Sequence, residues 1–233
     1  DKLATISTNV SDEAVESFIK KGAVKPGRMV SVVNGINTDH FVFDAKLRYE
    51  KRQELEITNQ QAILSVGRLD VQKDYPNLLN AIAILKNQRQ DFKVFIVGDG
   101  PLRQEILELT KNLEIEGCVE FLGIRRDIPA LMSASDIFVL ASAWEGFGLV
   151  VAEAMACERV TIATDCGGVA EVMGESGYLI ESRNSNVLAQ ALNKALALSE
   201  GDRIKIGKAA RQRIIEKFSL DANVDAYLKL YST

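Results

Sequence analysis

Residues 137–156 read IFVLASAWEGFGLVVAEAMA, and this stretch decides the fold class. Its first four residues form an apolar run that is typical of a buried strand, and residues 149–156 have the apolar character of a buried helix. Two glycines in the loop between them favour a tight strand-to-helix turn. Units of strand, turn and helix build parallel sheets, so the stretch predicts an α/β fold.

The same alternation continues on both sides of this unit. We predict further strands at residues 62–66, 93–97, 119–122, 160–163 and 178–180, and further helices at residues 77–88, 102–113 and 127–133. Residues 187–198, 202–217 and 220–230 are predicted to be helical. The sequence therefore predicts a Rossmann-like parallel sheet with helices on both faces and a helical C-terminus.

The first 60 residues have weaker patterns. They predict a strand at residues 4–8, a helix at 11–21 with Ser11 as its N-cap, and a strand at 29–33. Residues 38–60 are charged and lack a strong period, which predicts a linker with one short helix. Because the chain begins at Asp1 inside an already structured pattern, we expect it to be part of a longer protein.

Composition excludes several classes of function. The net charge of -4 and the pI near 5.3 argue against general nucleic-acid binding, which needs a clustered excess of Lys and Arg. Three dispersed cysteines and one histidine indicate neither a zinc site nor a disulfide framework. No apolar run approaches the roughly 20 residues of a membrane-spanning helix. We expect no metal or cofactor and a reducing, cytoplasmic setting, with peripheral membrane association of the full-length protein left open.

Candidate ligand-binding residues follow the strands, because ligands of open parallel sheets bind at the carboxyl ends of the strands. Residues 67–74, GRLDVQKD, follow the strand at 62–66. Gly67 permits close approach of a ligand to the backbone. Arg68 and Lys73 suit a diphosphate, with charge-assisted hydrogen bonds of about 1.5 to 3 kcal/mol each. The alternative is a solvated loop with incidental charges.

Residues 97–101, VGDGP, form the next candidate loop. Gly98 and Gly100 permit a tight turn, and Pro101 suits the first turn of a helix. The dinucleotide fingerprint GxGxxG is not met, because Arg103 stands where its third glycine is needed. Two interpretations stay open for this loop: a plain strand-to-helix turn, or bare backbone against which a nucleoside packs.

Residues 141–156, ASAWEGFGLVVAEAMA, form the most informative loop. A glycine on each side of Phe147 precedes the helix, so backbone N–H groups are available to an anion at Phe147, Gly148 and Leu149. Glu145 in the loop suits a sugar hydroxyl, and Glu153, about two turns along the helix, approaches the same place from the helix side. The alternative for Glu153 is a partly buried carboxylate paired with a neighbouring cation. Gly167 and Gly168 then lead to Glu171 at the same edge, where they serve either a ligand or helix–strand packing.

With these motifs, the chain resembles the C-terminal domain of the family 4 glycosyltransferases of the GT-B fold. The resemblance covers nearly the whole sequence and rests on GRLDVQKD, on VGDGPLR from residue 97, on FLG followed by residues 125–129, and on EGFGLVVAE at 145–153. NGIN at 34–37 resembles the segment between the two domains of such enzymes. The resemblance to the family implies that residues 1–37 are the end of an acceptor domain and the interdomain segment, and that residues 38–233 are the nucleotide-sugar-binding domain.

The resemblance also implies an activity, the retaining transfer of a sugar from a nucleotide diphosphate sugar to an acceptor without a bound metal. Arg68 and Lys73 would neutralise the diphosphate leaving group, and Glu145 with the amides of residues 147–149 would hold the sugar and the phosphate. Glu153 would bind the ribose hydroxyls. The remaining substrate-binding positions would face the nucleotide through the backbone: Gly67, Gly98, Gly100, Ile124, Arg125 and Arg126.

The chain departs from the family in length, since most of an acceptor domain is lacking. His40 is not at the place where many members have a histidine near the transferred sugar. We therefore expect the fragment alone to be inactive, and a glycan or lipid-linked glycan from polysaccharide biosynthesis to be bound by the other domain. Two alternatives stay open, a nucleotide-sugar epimerase of the same architecture and a non-catalytic nucleotide-binding module.

Overall fold

The computed structural model describes residues 5–232. A small parallel sheet comes first, formed by β1 (Ser7–Asn9) and β2 (Met29–Ser31) with α1 (Asp12–Lys20) between them. The Ser11 side chain accepts a hydrogen bond from the Ala14 N–H and caps α1, as predicted. The first residue of the strand predicted at 4–8 lies outside the described residues, and the observed strand begins three residues later.

The main sheet has six parallel strands: β3 (Gln61–Val66), β4 (Phe92–Val97), β5 (Val119–Gly123), β6 (Ile137–Leu140), β7 (Val160–Thr164) and β8 (Tyr178–Ile180). Its strand order is β5-β4-β3-β6-β7-β8. The chain thus proceeds outward from β3 to β5, then returns to β6 on the other side of β3. This reversal creates a topological switch point between β3 and β6, where open α/β sheets bind their ligands.

The helices follow the strands along the chain. They are α2 (Ala45–Glu54), α3 (Tyr75–Lys86), α4 (Arg103–Asn112), α5 (Ile128–Ala134), α6 (Leu149–Ala156), α7 (Val169–Met173), α8 (Ser185–Leu196), α9 (Glu200–Phe218) and α10 (Leu220–Tyr231). Two elements were not predicted, α7 and a 3-10 turn at Val71–Lys73. The predicted fold class is confirmed: a parallel sheet covered by helices on both faces, followed by helices at the C-terminus. None of the helices within residues 5–232 combines the length and apolarity needed to cross a bilayer.

Side chains of the strands alternate between two cores, one on each face of the sheet. Ile63 belongs to a core that includes Leu78 of α3 and Leu188 of α8. Its neighbour Leu64 belongs to the opposite core, which includes Met155 of α6 and Ile214 of α9. Because strand side chains alternate with a period of two, each strand contributes to both cores. The sheet is therefore buried on both faces, and its functional groups emerge at its ends.

Helix α2 is the one short helix predicted within residues 38–60, and it is anchored to the sheet. Asp136, just before β6, accepts hydrogen bonds from Arg48 (2.6 Å), Arg52 (3.2 Å) and the backbone N–H of Ala62 (2.8 Å). The Asp136 side chain is only 10% exposed. Burial disfavours its charged form, but the guanidinium of Arg48 and the Ala62 N–H outweigh that cost and keep the pKa of Asp136 below its usual value.

We expect Asp136→Ala to lower the free energy of unfolding by about 3 to 5 kcal/mol, because it leaves Arg48 and Arg52 partly buried without their carboxylate. Urea denaturation measures the change. Glu50→Ala is the matched control, since the pair of Glu50 with Lys46 is largely exposed and its loss should cost less than about 1 kcal/mol. Equal effects of the two substitutions would contradict the anchoring role of Asp136.

Candidate functional site

A pocket of about 530 Å³ lies at the switch point, between the loops that follow β3 and β6. Most of the predicted site residues line it: Gly67, Arg68, Lys73, Glu145, Phe147, Gly148, Leu149 and Glu153. Val10 and Asn34 from the N-terminal segment complete its wall. Neither was predicted as a site residue, although Asn34 belongs to the NGIN motif. Two of the four motifs on which the prediction depended, GRLDVQKD and EGFGLVVAE, therefore meet in one pocket.

The start of α6 forms one side of this pocket. Gly148 is the N-cap, has a left-handed φ of 85°, and provides no side-chain hydrogen bond to the helix. Within residues 5–232, the N–H groups of Leu149 and Val150 donate to no recorded backbone or side-chain acceptor. Free N–H groups and the helix dipole both favour an anion at such an end. Leu149 is one of the three positions predicted to offer an N–H group to an anion, and Val150 was not among them; anion binding here stays a prediction.

Lys73 and Glu145 form an ion pair at the wall of the pocket. The Lys73 Nζ lies 2.5 Å from the Glu145 Oε1, which also accepts a hydrogen bond from the Ser142 hydroxyl at 2.7 Å. The Gln72 amide donates to Glu145 Oε2 at 3.3 Å. The side chains of Lys73 and Glu145 are 16% and 8% exposed, so each is held in a defined position. Neither this pairing nor the contacts of Gln72 and Ser142 were predicted from the sequence.

Arg68 lines the same pocket, but its side chain is much more exposed than that of Lys73. Its side chain is 70% exposed, and its partner Asp70 is 3.6 Å away. Such an exposed pair contributes little to stability. Of the two predicted cations, Lys73 is therefore fixed in the wall, whereas Arg68 is free to move toward a ligand.

Glu153 is a partly buried carboxylate on the pocket side of α6. Within residues 5–232, its side chain makes no recorded ion pair or hydrogen bond, so the alternative of a carboxylate satisfied by a cation does not describe it. Burial raises the pKa of Glu153 to about 7. The group is available to hydroxyl donors from a ligand, which would supply the hydrogen bonds that the protein does not.

Gly98 and Gly100 do not line the pocket, but they pack against the backbone of the loop that carries Arg68. Gly98 has φ of 135°, and a Cβ there would lie 1.9 Å from the carbonyl oxygen of Gly67. A Cβ on Gly100 would lie 2.3 Å from the carbonyl oxygen of Leu69. Both glycines are required because the loop that carries Arg68 packs directly on this backbone. Their predicted contact with a nucleoside stays a prediction.

Residues 124–126 also lie outside the pocket lining. Ile124 is 77% exposed. Arg125 is engaged with Glu54 at 2.8 Å and with Asp127 at 2.5 Å, while Arg126 is exposed. The loop adjoins Gly98, whose N–H donates to the carbonyl of Gly123 at 2.8 Å. The structure thus connects this loop to the loop of Gly98, and its contact with a base stays a prediction.

The glycine turn at 167–168 holds the Glu145 loop in place. A Cβ on Gly167, at φ of 56°, would lie 1.8 Å from the Glu145 carbonyl oxygen. The N–H of Gly168 donates to the carbonyl of Gly146 at 3.2 Å. Of the two interpretations left open, packing accounts for these glycines. Glu171 accepts a hydrogen bond from the Asp12 N–H at 3.3 Å, which connects α7 to the N-terminal segment.

A second pocket, of about 290 Å³, lies at the opposite edge of the sheet and has a structural role. The buried Arg159 donates from Nε to the Cys157 carbonyl at 2.8 Å and from Nη1 to the Ser135 carbonyl at 2.5 Å. Its guanidinium also lies 4.8 Å from the centre of the Phe43 ring. These contacts hold together the segments that enter β6 and β7. No group of three or more His, Cys, Asp or Glu side chains within residues 5–232 is arranged to hold a metal ion.

We expect Glu153 to lower the free energy of unfolding as the pH rises from about 4.5 to 7. Over that range the Glu153 carboxyl keeps its proton in the folded protein but loses it in the unfolded chain. Glu153→Gln removes this effect. At pH 8 the variant should therefore unfold at higher free energy than the wild type, by about 1 to 2 kcal/mol after allowance for partial exposure. At pH 4 the difference should vanish. Urea denaturation at pH 4 and at pH 8 measures the difference. Equal stability of the variant and the wild type at pH 8 would contradict a cost of burying the charged Glu153 carboxylate.

Comparison with known proteins agrees with this site. The chain matches the family described as "Glycosyl transferases group 1" over residues 48–213. It is 31% identical over 210 residues to N-acetyl-alpha-D-glucosaminyl L-malate synthase of Bacillus anthracis, an alignment that covers 89% of this chain and 55% of that protein. The chain spans about half the length of the curated relatives it matches.

Two solved structures are similar to it. The crystal structure of Anabaena HepE in complex with UDP and glucose has a TM-score of 0.90 and 26% identity, covering 100% of this chain and 64% of that chain. The C-terminal domain of the glycosyl transferase group 1 family protein LpcC from Francisella tularensis has a TM-score of 0.72 and 26% identity, covering 80% of this chain and 100% of that chain. Because the family match extends over most of the chain, and the fold and switch-point pocket agree with it, this chain belongs to the group 1 glycosyl transferases, which have the GT-B fold.

Proposed function

We propose that this chain is the donor-binding, C-terminal half of a family 4 retaining glycosyltransferase. In this proposal residues 38–233 form the nucleotide-sugar-binding domain, and residues 1–37 are the end of the acceptor domain with the interdomain segment. The observation that carries the proposal is the pocket at the switch point, which is lined by Arg68, Lys73, the start of α6 and Glu153. The similarity to the whole LpcC C-terminal domain supports the same assignment.

The proposed chemistry is stabilisation of a leaving group. An acceptor hydroxyl oxygen would bond to the anomeric carbon and give its proton to the departing diphosphate. The bond between that carbon and the diphosphate oxygen would break with its electron pair staying on the diphosphate, so negative charge would increase there. Lys73 and Arg68 would meet this charge together with the free N–H groups of Leu149 and Val150. Donors that are already in position stabilise a transition state without further reorganisation. The transferred sugar would keep its anomeric configuration.

Glu145 and Glu153 have different proposed roles, which agree with their different surroundings. Glu145 fixes the Lys73 ammonium group through the 2.5 Å ion pair and would hold the transferred sugar with its remaining acceptor capacity. Glu153, which lacks a partner among the described residues, would accept hydrogen bonds from the ribose hydroxyls. The base would contact backbone near Gly67, Gly98 and Gly100 and at residues 124–126.

The acceptor in this proposal is a glycan or a lipid-linked glycan of polysaccharide biosynthesis, bound mainly by the acceptor domain, and the full-length enzyme would act in the cytoplasm or at its membrane surface. The family match favours transfer over epimerisation. A non-catalytic nucleotide-binding module would share the pocket and differ only in lacking turnover in the full-length protein.

We expect Lys73→Gln to weaken UDP binding by about tenfold or more, because it removes one charge-assisted hydrogen bond and leaves a side chain that can still donate to Glu145. Arg68→Ala should weaken binding less, since Arg68 is exposed. Isothermal titration calorimetry measures both constants. Lys46→Gln is the control, because Lys46 lies on the exposed face of α2 and should leave UDP affinity unchanged. An unchanged affinity in Lys73→Gln would contradict the diphosphate role.

The purified 233-residue chain should bind UDP and yet transfer no sugar at a useful rate, because acceptor binding is assigned to the other domain. An assay of UDP release from UDP-glucose, with a glycan acceptor present, tests this. Robust turnover by the chain alone would overturn the division of roles between two domains.

A further inference from the structure

A third pocket, of about 390 Å³, adjoins the proposed donor pocket at the same edge of the sheet. It lies between the starts of α3 and α8, and its lining includes Val71, Asn77, Asn80, Trp144 and Arg183. Trp144 directly precedes Glu145, and Val71 lies in the same 3-10 turn as Lys73. We call it the Trp144 pocket. None of the groups assigned to the nucleotide sugar lines it.

Asn77 lines this pocket and carries a buried, unsatisfied polar group. Its residue is 6% exposed, and its Oδ1 accepts a hydrogen bond from the Ser185 hydroxyl at 2.9 Å. Its Nδ2 is the one buried side-chain nitrogen or oxygen without a hydrogen-bond partner among the described residues. A buried donor without an acceptor costs free energy, and it calls for an explanation such as a ligand.

Trp144 supplies an exposed apolar surface. Its residue is 48% exposed, and the neighbouring Val71 is 64% exposed. Gln72 nevertheless holds the loop on both sides, because its carbonyl accepts from the Ala143 N–H at 2.8 Å and its amide donates to the Trp144 carbonyl at 3.0 Å. The backbone that carries the indole is therefore fixed. Trp144 is also the single tryptophan of the sequence.

The backbone at the rim has unusual conformations. Asp74 and Arg183 have left-handed φ values of 44° and 57°, which are rare for residues other than glycine. Such conformations are costly and often occur at ligand sites. The two helix starts are already capped, since the Asp74 side chain accepts from the Asn77 N–H and the Asn184 side chain accepts from the Val187 N–H. This capping favours an uncharged ligand over an anion.

We propose that the Trp144 pocket is a carbohydrate subsite that binds one sugar ring of a glycan. A pyranose has an apolar C–H face, which the indole of Trp144 would cover, and hydroxyls that both donate and accept hydrogen bonds. The amides of Asn77 and Asn80, the carboxylate of Asp74 and the guanidinium of Arg183 offer both kinds of partner. Choice of a glycan as the ligand rests on the proposed function, whereas the pocket uses residues outside the donor site.

Saturation-transfer NMR with the methyl glycosides of glucose, galactose, mannose and N-acetylglucosamine tests the proposal. We expect transfer to the ring protons of at least one glycoside, with quenching of Trp144 fluorescence and a dissociation constant in the millimolar range that is typical of so small a ligand. Trp144→Ala should weaken that glycoside by at least about fivefold, and Trp144→Phe should retain part of the affinity. Asn80→Ala, a change at a half-buried position whose one hydrogen bond is to the Pro76 carbonyl, should weaken binding of the glycoside while the protein still folds.

Cross-tests separate this subsite from the donor site. Trp144→Ala should bind UDP with the wild-type affinity in calorimetry. Lys73→Gln should bind UDP more weakly and should bind the glycoside with the wild-type affinity. Absence of transfer from all four glycosides would overturn the subsite, as would a signal that persists in Trp144→Ala. A glycoside signal lost only in Lys73→Gln would move the sugar to the donor pocket and overturn it too. If the wild type bound none of UDP, GDP and ADP, the proposed function would be refuted, and the glycoside result would still be interpretable.

Discussion

The site depends on the parallel pairing of β3 with β6, two strands that are far apart in the sequence. Ile63 lies opposite Ile137, and Leu64 lies opposite Phe138. This pairing places the loop with Arg68 and Lys73 beside the loop with Glu145. All four side chains are buried, so the apolar cores on both faces of the sheet hold the register. Hydrophobic packing of the strands thus sets the distance between the two loops that carry the charged groups of the site.

Two carboxylates of the same motif, eight positions apart, differ in physical state because of their neighbours. Glu145 is held by an ammonium, a hydroxyl and an amide, and these contacts offset the cost of its burial. Glu153 has no such contacts among the described residues, and burial alone raises its pKa to about 7. Glu145 therefore holds neighbouring side chains in position, whereas Glu153 is available to a ligand. The sequence motif alone does not distinguish the two glutamates.

Sequence patterns predicted the strands and most helices because residues buried on both faces leave long apolar runs, as at residues 137–140. They missed α7, whose five residues are too few for a helical period, and the 3-10 turn before Asp74. Glycine and charge patterns also identified most of the pocket lining. These patterns could not show that Lys73 pairs with Glu145, 72 residues away. They also could not show that Gly98 packs closely against the backbone of Gly67. Those facts depend on distances between loops, which no local pattern encodes.

The two ends of the described chain meet beside the pocket. Ile36 donates to the carbonyl of Phe218 at 2.7 Å and its own carbonyl accepts from Leu220 at 3.1 Å, so the junction of α9 and α10 is bonded to the segment that carries Asn34. Asn34 and Val10 form part of the pocket wall. Hydrogen bonds to the C-terminal helices therefore hold in place the N-terminal segment that supplies this part of the pocket wall.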